Sequence, residues 1–112
     1  MALRLRKKKT SSPKIKTQVE RKIHASVSFN GTQFIITNND SFDWTNVKFE
    51  LNAGILKSGY ILRENRIKSG HTYTVGALQF AKSGGERFNP FTMKPQSMFI
   101  FADEGNCELG WK

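Results

Sequence analysis

The sequence is poor in the residues that staple a small domain or make it chemically active. Of its 112 residues only one is a cysteine, Cys107, and two are histidines, His24 and His71. A lone cysteine excludes an internal disulfide and any zinc site built on two or more thiolates. No run of 18 or more apolar residues occurs, so this stretch contains no membrane-spanning helix. No apolar signal-peptide core follows Met1, because Arg4 to Lys9 put charge where one would begin. Together these absences favour a cytoplasmic location.

Acidic residues are also few, nine against eighteen lysines and arginines, and the imbalance is concentrated at one end. Residues 1–22 carry Arg4, Arg6, Lys7, Lys8, Lys9, Lys14, Lys16, Arg21 and Lys22 against Glu20 alone, a net charge of +8. Residues 23–112 carry the remaining nine basic residues against eight acidic ones, a net charge of +1. The chain therefore reads as a basic tail, 1–22, followed by one domain, 23–112. The nine basic tail residues are the candidate contacts for an anion, either nucleic-acid phosphates or an anionic membrane surface. Ser12-Pro13 lies among them, and phosphorylation there would add roughly −1.5 to −2 charges and weaken such contacts. The same pair reads as an N-cap and first helical residue, with Ile15, Val19 and Ile23 at every fourth position. Residues 12–23 are thus either a short helix or a linker.

From His24 the period becomes two, as in strands with one buried face. Residues 24–30 alternate small apolar and aromatic side chains with polar ones. Asn30-Gly31 then signals a type I′ hairpin turn, in which both residues take a positive φ. Residues 32–37 return, and Asn38 to Ser41 form a second polar turn. Val47, Phe49 and Leu51 alternate with Lys48 and Glu50. Gly54 and Gly59 bracket a loop before Tyr60 to Arg63, and Ser69-Gly70 precedes a strand containing Tyr73, Val75 and Ala77. A phase change near Gly76 puts Leu78 and Phe80 on the other parity and suggests a bulge or bend. Residues 83–86 turn the chain, residues 87–91 read as a short edge strand or ordered loop, and Ser97 to Ala102, apolar on both faces, read as a central strand. The end, Asp103 to Lys112, is turn-rich, with Leu109 and Trp111 folding back. About seven strands at regular spacing predict an all-β, antiparallel two-sheet sandwich, with a five-stranded oligonucleotide-binding barrel as the alternative.

The stretches Asn38 to Asn52 and Gly85 to Pro95 resemble small bacterial immunoglobulin-like domains of unassigned function, over about residues 24–103. The resemblance implies an immunoglobulin-like sandwich, often attached to a membrane anchor or a second small module. It brings no catalytic residues.

Chemistry is thinly represented. His24 and His71 stand in strand-like stretches, Cys107 has no neighbouring histidine, and the acidic pairs Asp40/Asp43 and Asp103/Glu104 lack calcium-loop spacing. No phosphate-cradling glycine loop is present. Asn30-Gly31-Thr32 and Asn39-Asp40-Ser41 match a glycosylation pattern, but their turn positions explain the asparagines. Most aromatics share parity with aliphatic neighbours, as core residues do, which argues against a base-stacking platform. Trp44, Phe88 and Phe91 lie in or beside turns and, with Arg87, are the candidate partner-binding residues. The expected function is a non-enzymatic module without cofactor, metal or small-molecule substrate, binding a protein partner through the domain and an anion through the tail. A ribonucleoprotein accessory protein and the soluble part of a membrane-anchored protein are the alternatives.

Overall fold

The alternation around residues 24–38 folds into a hairpin. In a computed structural model describing residues 21–54 and 56–111, β1 (Ala25–Phe29) runs antiparallel to β2 (Gln33–Asn38), with Phe29 opposite Phe34. The turn is displaced by one residue from the expected one. Gly31 alone takes a positive φ, 104°, while Asn30 acts through its side chain. Its Oδ1 accepts the Thr32 and Gln33 amides at 3.0 and 2.8 Å, which fixes the loop without strain on Asn30 itself.

The chain then crosses to a second sheet through β3 (Trp44–Leu51) and β4 (Tyr60–Ile67). It returns to the first sheet with β5 (Thr72–Gly76), and crosses again to β6 (Ser97–Ala102) and β7 (Gly105–Gly110). The strand orders are β1-β2-β5 and β4-β3-β6-β7, all antiparallel. The two sheets stay separate among the described residues, so the barrel alternative fails. No helix among those residues is long and apolar enough to cross a membrane.

Inward-facing residues of both sheets form one core: Phe34 and Ile36 from the first, and Trp44, Val47, Phe49, Leu51, Met98 and Ile100 from the second. Phe34 sits at its centre, with ring centroids of Phe80 and Trp111 at 5.3 and 5.8 Å. Phe49 stacks on Tyr73 across the sheets at 5.9 Å. The change of phase after β5 is neither a bulge nor a simple bend. A single 3₁₀ turn, Ala77–Gln79, rotates the chain so that Phe80 is buried and Leu78 is half exposed. The segment from Ala81 to Arg87 then folds back on itself, and Ala81 also bonds Ile61 at the outer edge of β4.

One further expectation is corrected. The C-terminal residues form a full strand, β7, which places Cys107 in the core rather than in a turn. Of the stretch read as a short helix or a linker, residues 12–20 lie outside the described residues; Ile23 at its end is buried, its amide bonds the Asn106 carbonyl at 3.1 Å, and Lys22 bridges Asn106 in parallel. The paired backbone thus begins two residues before the expected boundary, with the Arg21 carbonyl accepting the Asn106 amide at 3.0 Å. Gly105 makes this approach possible, because a Cβ there would collide with the Arg21 carbonyl.

Asn38, expected in a surface turn, is fully buried. Its Nδ2 donates to the Phe42 and Ile67 carbonyls at 3.0 Å each, and its Oδ1 accepts the Asp40 amide at 2.8 Å. With every side-chain bond satisfied, the residue ties the end of β2 to the end of β4 and the two sheets to each other.

Candidate functional site

Side chains alternate across a strand, so the residues between the core positions of β3, β4, β6 and β7 form the outer face of the four-stranded sheet. The register sets them in two adjacent rows. One row runs Ile61, Glu50, Phe99, Glu108, and the next runs Arg63, Lys48, Phe101, Asn106. Phe99 and Phe101 stack on each other with centroids 5.7 Å apart and planes 13° apart. Lys48 places its Nζ 4.9 Å from the Phe101 ring centroid, a cation–π contact on a partly exposed ring. Glu50 stands beside Phe99 in the same row, and its Oε2 accepts the Gly59 amide at 2.9 Å.

That last bond anchors the loop between β3 and β4. Gly59 has no room for a side chain, since a Cβ would lie 2.5 Å from the Leu51 carbonyl oxygen. The tip closes through a Gly54–Lys57 bridge, with the Gly54 amide 3.0 Å from the Lys57 carbonyl. Leu56 at the tip is 94% exposed. Loop and rings together border a groove of about 450 Å³, with Glu50, Leu56, Lys57, Phe99 and Phe101 in its walls. A second cavity, about 280 Å³, lies at the other end of the β3–β4 pair between Asn46 and Arg63.

Asn46 marks a break in β3. Its φ of 50° shifts the inward parity, so that Trp44 and Val47 both face the core; asparagine tolerates that conformation better than most residues. The freed Thr45 amide donates to Glu104 Oε1 at 2.7 Å, and Asn46 Nδ2 donates to Asp103 Oδ2 at 2.6 Å. Both carboxylates therefore complete the sheet at the β6–β7 turn.

Several other titratable groups have structural partners as well. Burial works to raise the Asp40 carboxyl, but hydrogen bonds from the His24 amide, Trp44 Nε1 and the His24 ring, with the His24 charge, hold it below its ordinary value. Asp43 is held low by the Ser69 amide and by Arg66 at 2.9 Å. Desolvation, then the Glu86 carboxylate at 2.9 Å, raises the Tyr60 hydroxyl. Tyr73 is raised by burial and by Glu64, whose Oε2 accepts its hydroxyl at 2.8 Å across the sandwich. Burial pushes the Cys107 thiol up to about 11. No group of three or more metal-ligating side chains gathers among the described residues.

The residues expected to bind partners separate. Trp44 and Phe88 are fully buried, which corrects their expected exposure beside turns. The Trp44 indole donates to Asp40 at 3.0 Å, and Phe88 stands edge-on to Tyr60 at 5.5 Å, so both are core residues. Phe91 is 79% exposed, and Arg87 is exposed with its Nη1 donating to the Leu78 carbonyl at 2.9 Å. Of the expected anion contacts, Arg4, Arg6, Lys7, Lys8, Lys9, Lys14 and Lys16 lie outside the described residues. Arg21 and Lys22 are exposed, Arg21 with its guanidinium 5.9 Å from the Phe42 ring centroid.

Phe99, Phe101 and Leu56 escaped the sequence reading. The signal that finds them is the neighbouring strand: Lys48 and Glu50 on the same face of β3 are charged, and among the described residues no third layer covers β6. No family model, no curated protein and no solved structure matches this chain.

Proposed function

We propose that the chain is a non-enzymatic interaction module, an immunoglobulin-like sandwich that binds a protein partner across the outer face of its four-stranded sheet. The observation that carries this reading is the stacked Phe99–Phe101 pair, partly exposed among charged neighbours. An aromatic centre with a charged rim is the anatomy of a protein interface, and covering what remains exposed of each ring contributes part of the roughly 1.5–3 kcal/mol that full burial of a phenylalanine is worth. The immunoglobulin-like part of the reading is supported by the topology: hairpins β1–β2, β3–β4 and β6–β7 joined by three crossings between the sheets.

The basic residues at the N-terminus supply an anion contact of low specificity, supported by the +8 charge of residues 1–22. If about five of these charges meet phosphates, log affinity falls with log salt at a slope of about −4 to −5. Binding of the full chain to single-stranded RNA and to anionic vesicles across a salt series separates a nucleic acid from a membrane. Loss of charge at Lys7, Lys8 and Lys9 by glutamine substitution weakens whichever is the target, and an unchanged affinity overturns the tail contact.

The sheet-face reading is tested by a photo-crosslinking phenylalanine analogue at position 101, with Ser28, on the outer side of the three-stranded sheet, as control. Protein adducts specific to position 101 and lost in Phe99→Ser support it. Equal adduct yield at both positions overturns it.

A further inference from the structure

The two rows of the outer face are complementary to each other. Glu50 and Glu108 lie in one row with Phe99, while Lys48 and Arg63 lie in the next with Phe101. A surface divided in this way can be matched by itself, provided that a rotation lays one row on the other. We infer that the partner of this face is a second copy of the same chain, in an antiparallel, two-fold arrangement; the inference rests on the reading of this face as a binding surface.

The symmetry follows from the register. A two-fold axis lying in the interface, perpendicular to the strands and midway between the rows, keeps each strand over its counterpart and exchanges the rows. Glu50 then faces Lys48 of the second copy, and Phe99 faces Phe101. An axis parallel to the strands, midway between β3 and β6, lays β3 over β6 instead, setting Glu50 against Phe99 and Lys48 against Phe101. Only the first axis brings opposite charges together, so the charge pattern selects it. That axis also leaves the strand directions aligned within the angle common for stacked sheets, about 30°. The same rotation carries each β3–β4 loop, with Leu56 at its tip, toward the Asn46–Arg63 end of the other copy, where the cavity of about 280 Å³ lies.

The area sets the strength. Four strands about 4.8 Å apart, about six residues long, offer on the order of 400 Å² of flat face. Two such faces bury on the order of 800 Å², below the roughly 1,200 Å² of stable specific complexes and in the range of weak, transient ones, so the dimer is weak and forms at high local concentration. Each Glu50–Lys48 contact flanks the stacked rings and is partly shielded from solvent, which makes it matter more than a rim pair.

Sedimentation equilibrium of the full chain, from ~10 µM to ~1 mM at low salt, measures this directly. The wild-type chain dimerises increasingly over that range. Lys48→Glu and Glu50→Lys each weaken self-association about tenfold, because each sets like charges of the two β3 strands opposite each other. An equimolar mixture of the two variants associates at least as well as the wild type, and the doubly exchanged chain, Lys48→Glu with Glu50→Lys, recovers self-association. Circular dichroism checks that Glu50→Lys still folds without its Gly59 bond; Glu50→Gln keeps an acceptor there and weakens the dimer about threefold. A wild-type chain that stays monomeric throughout, or charge variants that associate like the wild type, overturns the inference. A monomeric chain that still crosslinks to a different protein through position 101 overturns self-association and leaves the binding face standing. Absence of site-specific adducts and of association overturns both.

Discussion

The two faces of β6 differ in what their side chains meet. Met98 and Ile100 point between the sheets and are fully buried, whereas Phe99 and Phe101, one residue away in each case, point outward and stay partly exposed. All four are apolar, so hydrophobicity does not distinguish them. What distinguishes them is the neighbouring strand: Phe49 and Cys107 lie beside Ile100 on the inner face, and Lys48 and Glu50 lie beside the rings on the outer face. The comparison teaches that an apolar side chain becomes part of a core only where a second layer exists to cover it. Where none exists, it remains available for a partner.

If that contrast holds, truncating the inner face has the largest effect. Ile100→Ala costs about 2–5 kcal/mol in chemical denaturation, since the removed atoms leave a cavity in close-packed surroundings. Trp44→Ala belongs to the same range and also strips Asp40 of a hydrogen bond. A loss below about 1 kcal/mol at Ile100 would mean that the inner face collapses onto the gap and is less rigid than its packing implies.

Asn38→Leu comes next. It keeps the volume but leaves the Phe42 and Ile67 carbonyls and the Asp40 amide without their partner. Unsatisfied buried groups of this kind cost about 1–3 kcal/mol each, offset in part where water enters. Denaturation midpoints of Asn38→Leu and Asn38→Asp, read side by side, separate the lost bonds from lost space.

Much of this architecture can be read in the sequence because alternation is a local signal. Ala25, Val27 and Phe29, then Val47, Phe49 and Leu51, report their buried face within a few residues. The central pairing of β6 is legible in the same way. Its exposure is not, because residues 97–102 look identical whether a third layer is present or absent; only the pairing of Phe101 with Lys48 decides it. Trp44 and Phe88 mislead for the opposite reason. Each lies beside a turn, but the break at Asn46 and the fold-back after Phe80 rotate them into the core. Asn38 is hidden because its turn-forming chemistry and its buried role use the same side chain.

Acid makes a smaller and graded test of how the ends of the sandwich are tied. The Asp40 carboxyl is held low in the folded state and returns to about 3.9 on unfolding. Its contribution to stability is therefore present above the unfolded value and lost as pH falls through the folded one. A pH series of denaturation midpoints should fall less steeply below about pH 4 in Asp40→Asn than in the wild type. Parallel slopes would remove Asp40 from the account.

At the alkaline end the sign reverses. The Cys107 thiol, raised to about 11 by burial, contributes stability that is complete below its unfolded value and lost as pH rises toward 11. At about pH 8 a thiol reagent should label the native chain on the order of a hundredfold more slowly than the denatured one. Equal rates would place Cys107 outside the core.

The smallest expected effect on stability is also the most informative. Thermal denaturation of the wild type and of the Phe99→Ser, Phe101→Ser double variant, compared over a series of protein concentrations, weighs the outer face directly. The account predicts that the two midpoints agree within a few degrees at the lowest concentration, corresponding to less than about 1 kcal/mol. It further predicts that only the wild-type midpoint rises as concentration increases. A variant midpoint far below the wild-type value at every concentration would contradict it, because the rings would then be holding the fold rather than waiting for a partner.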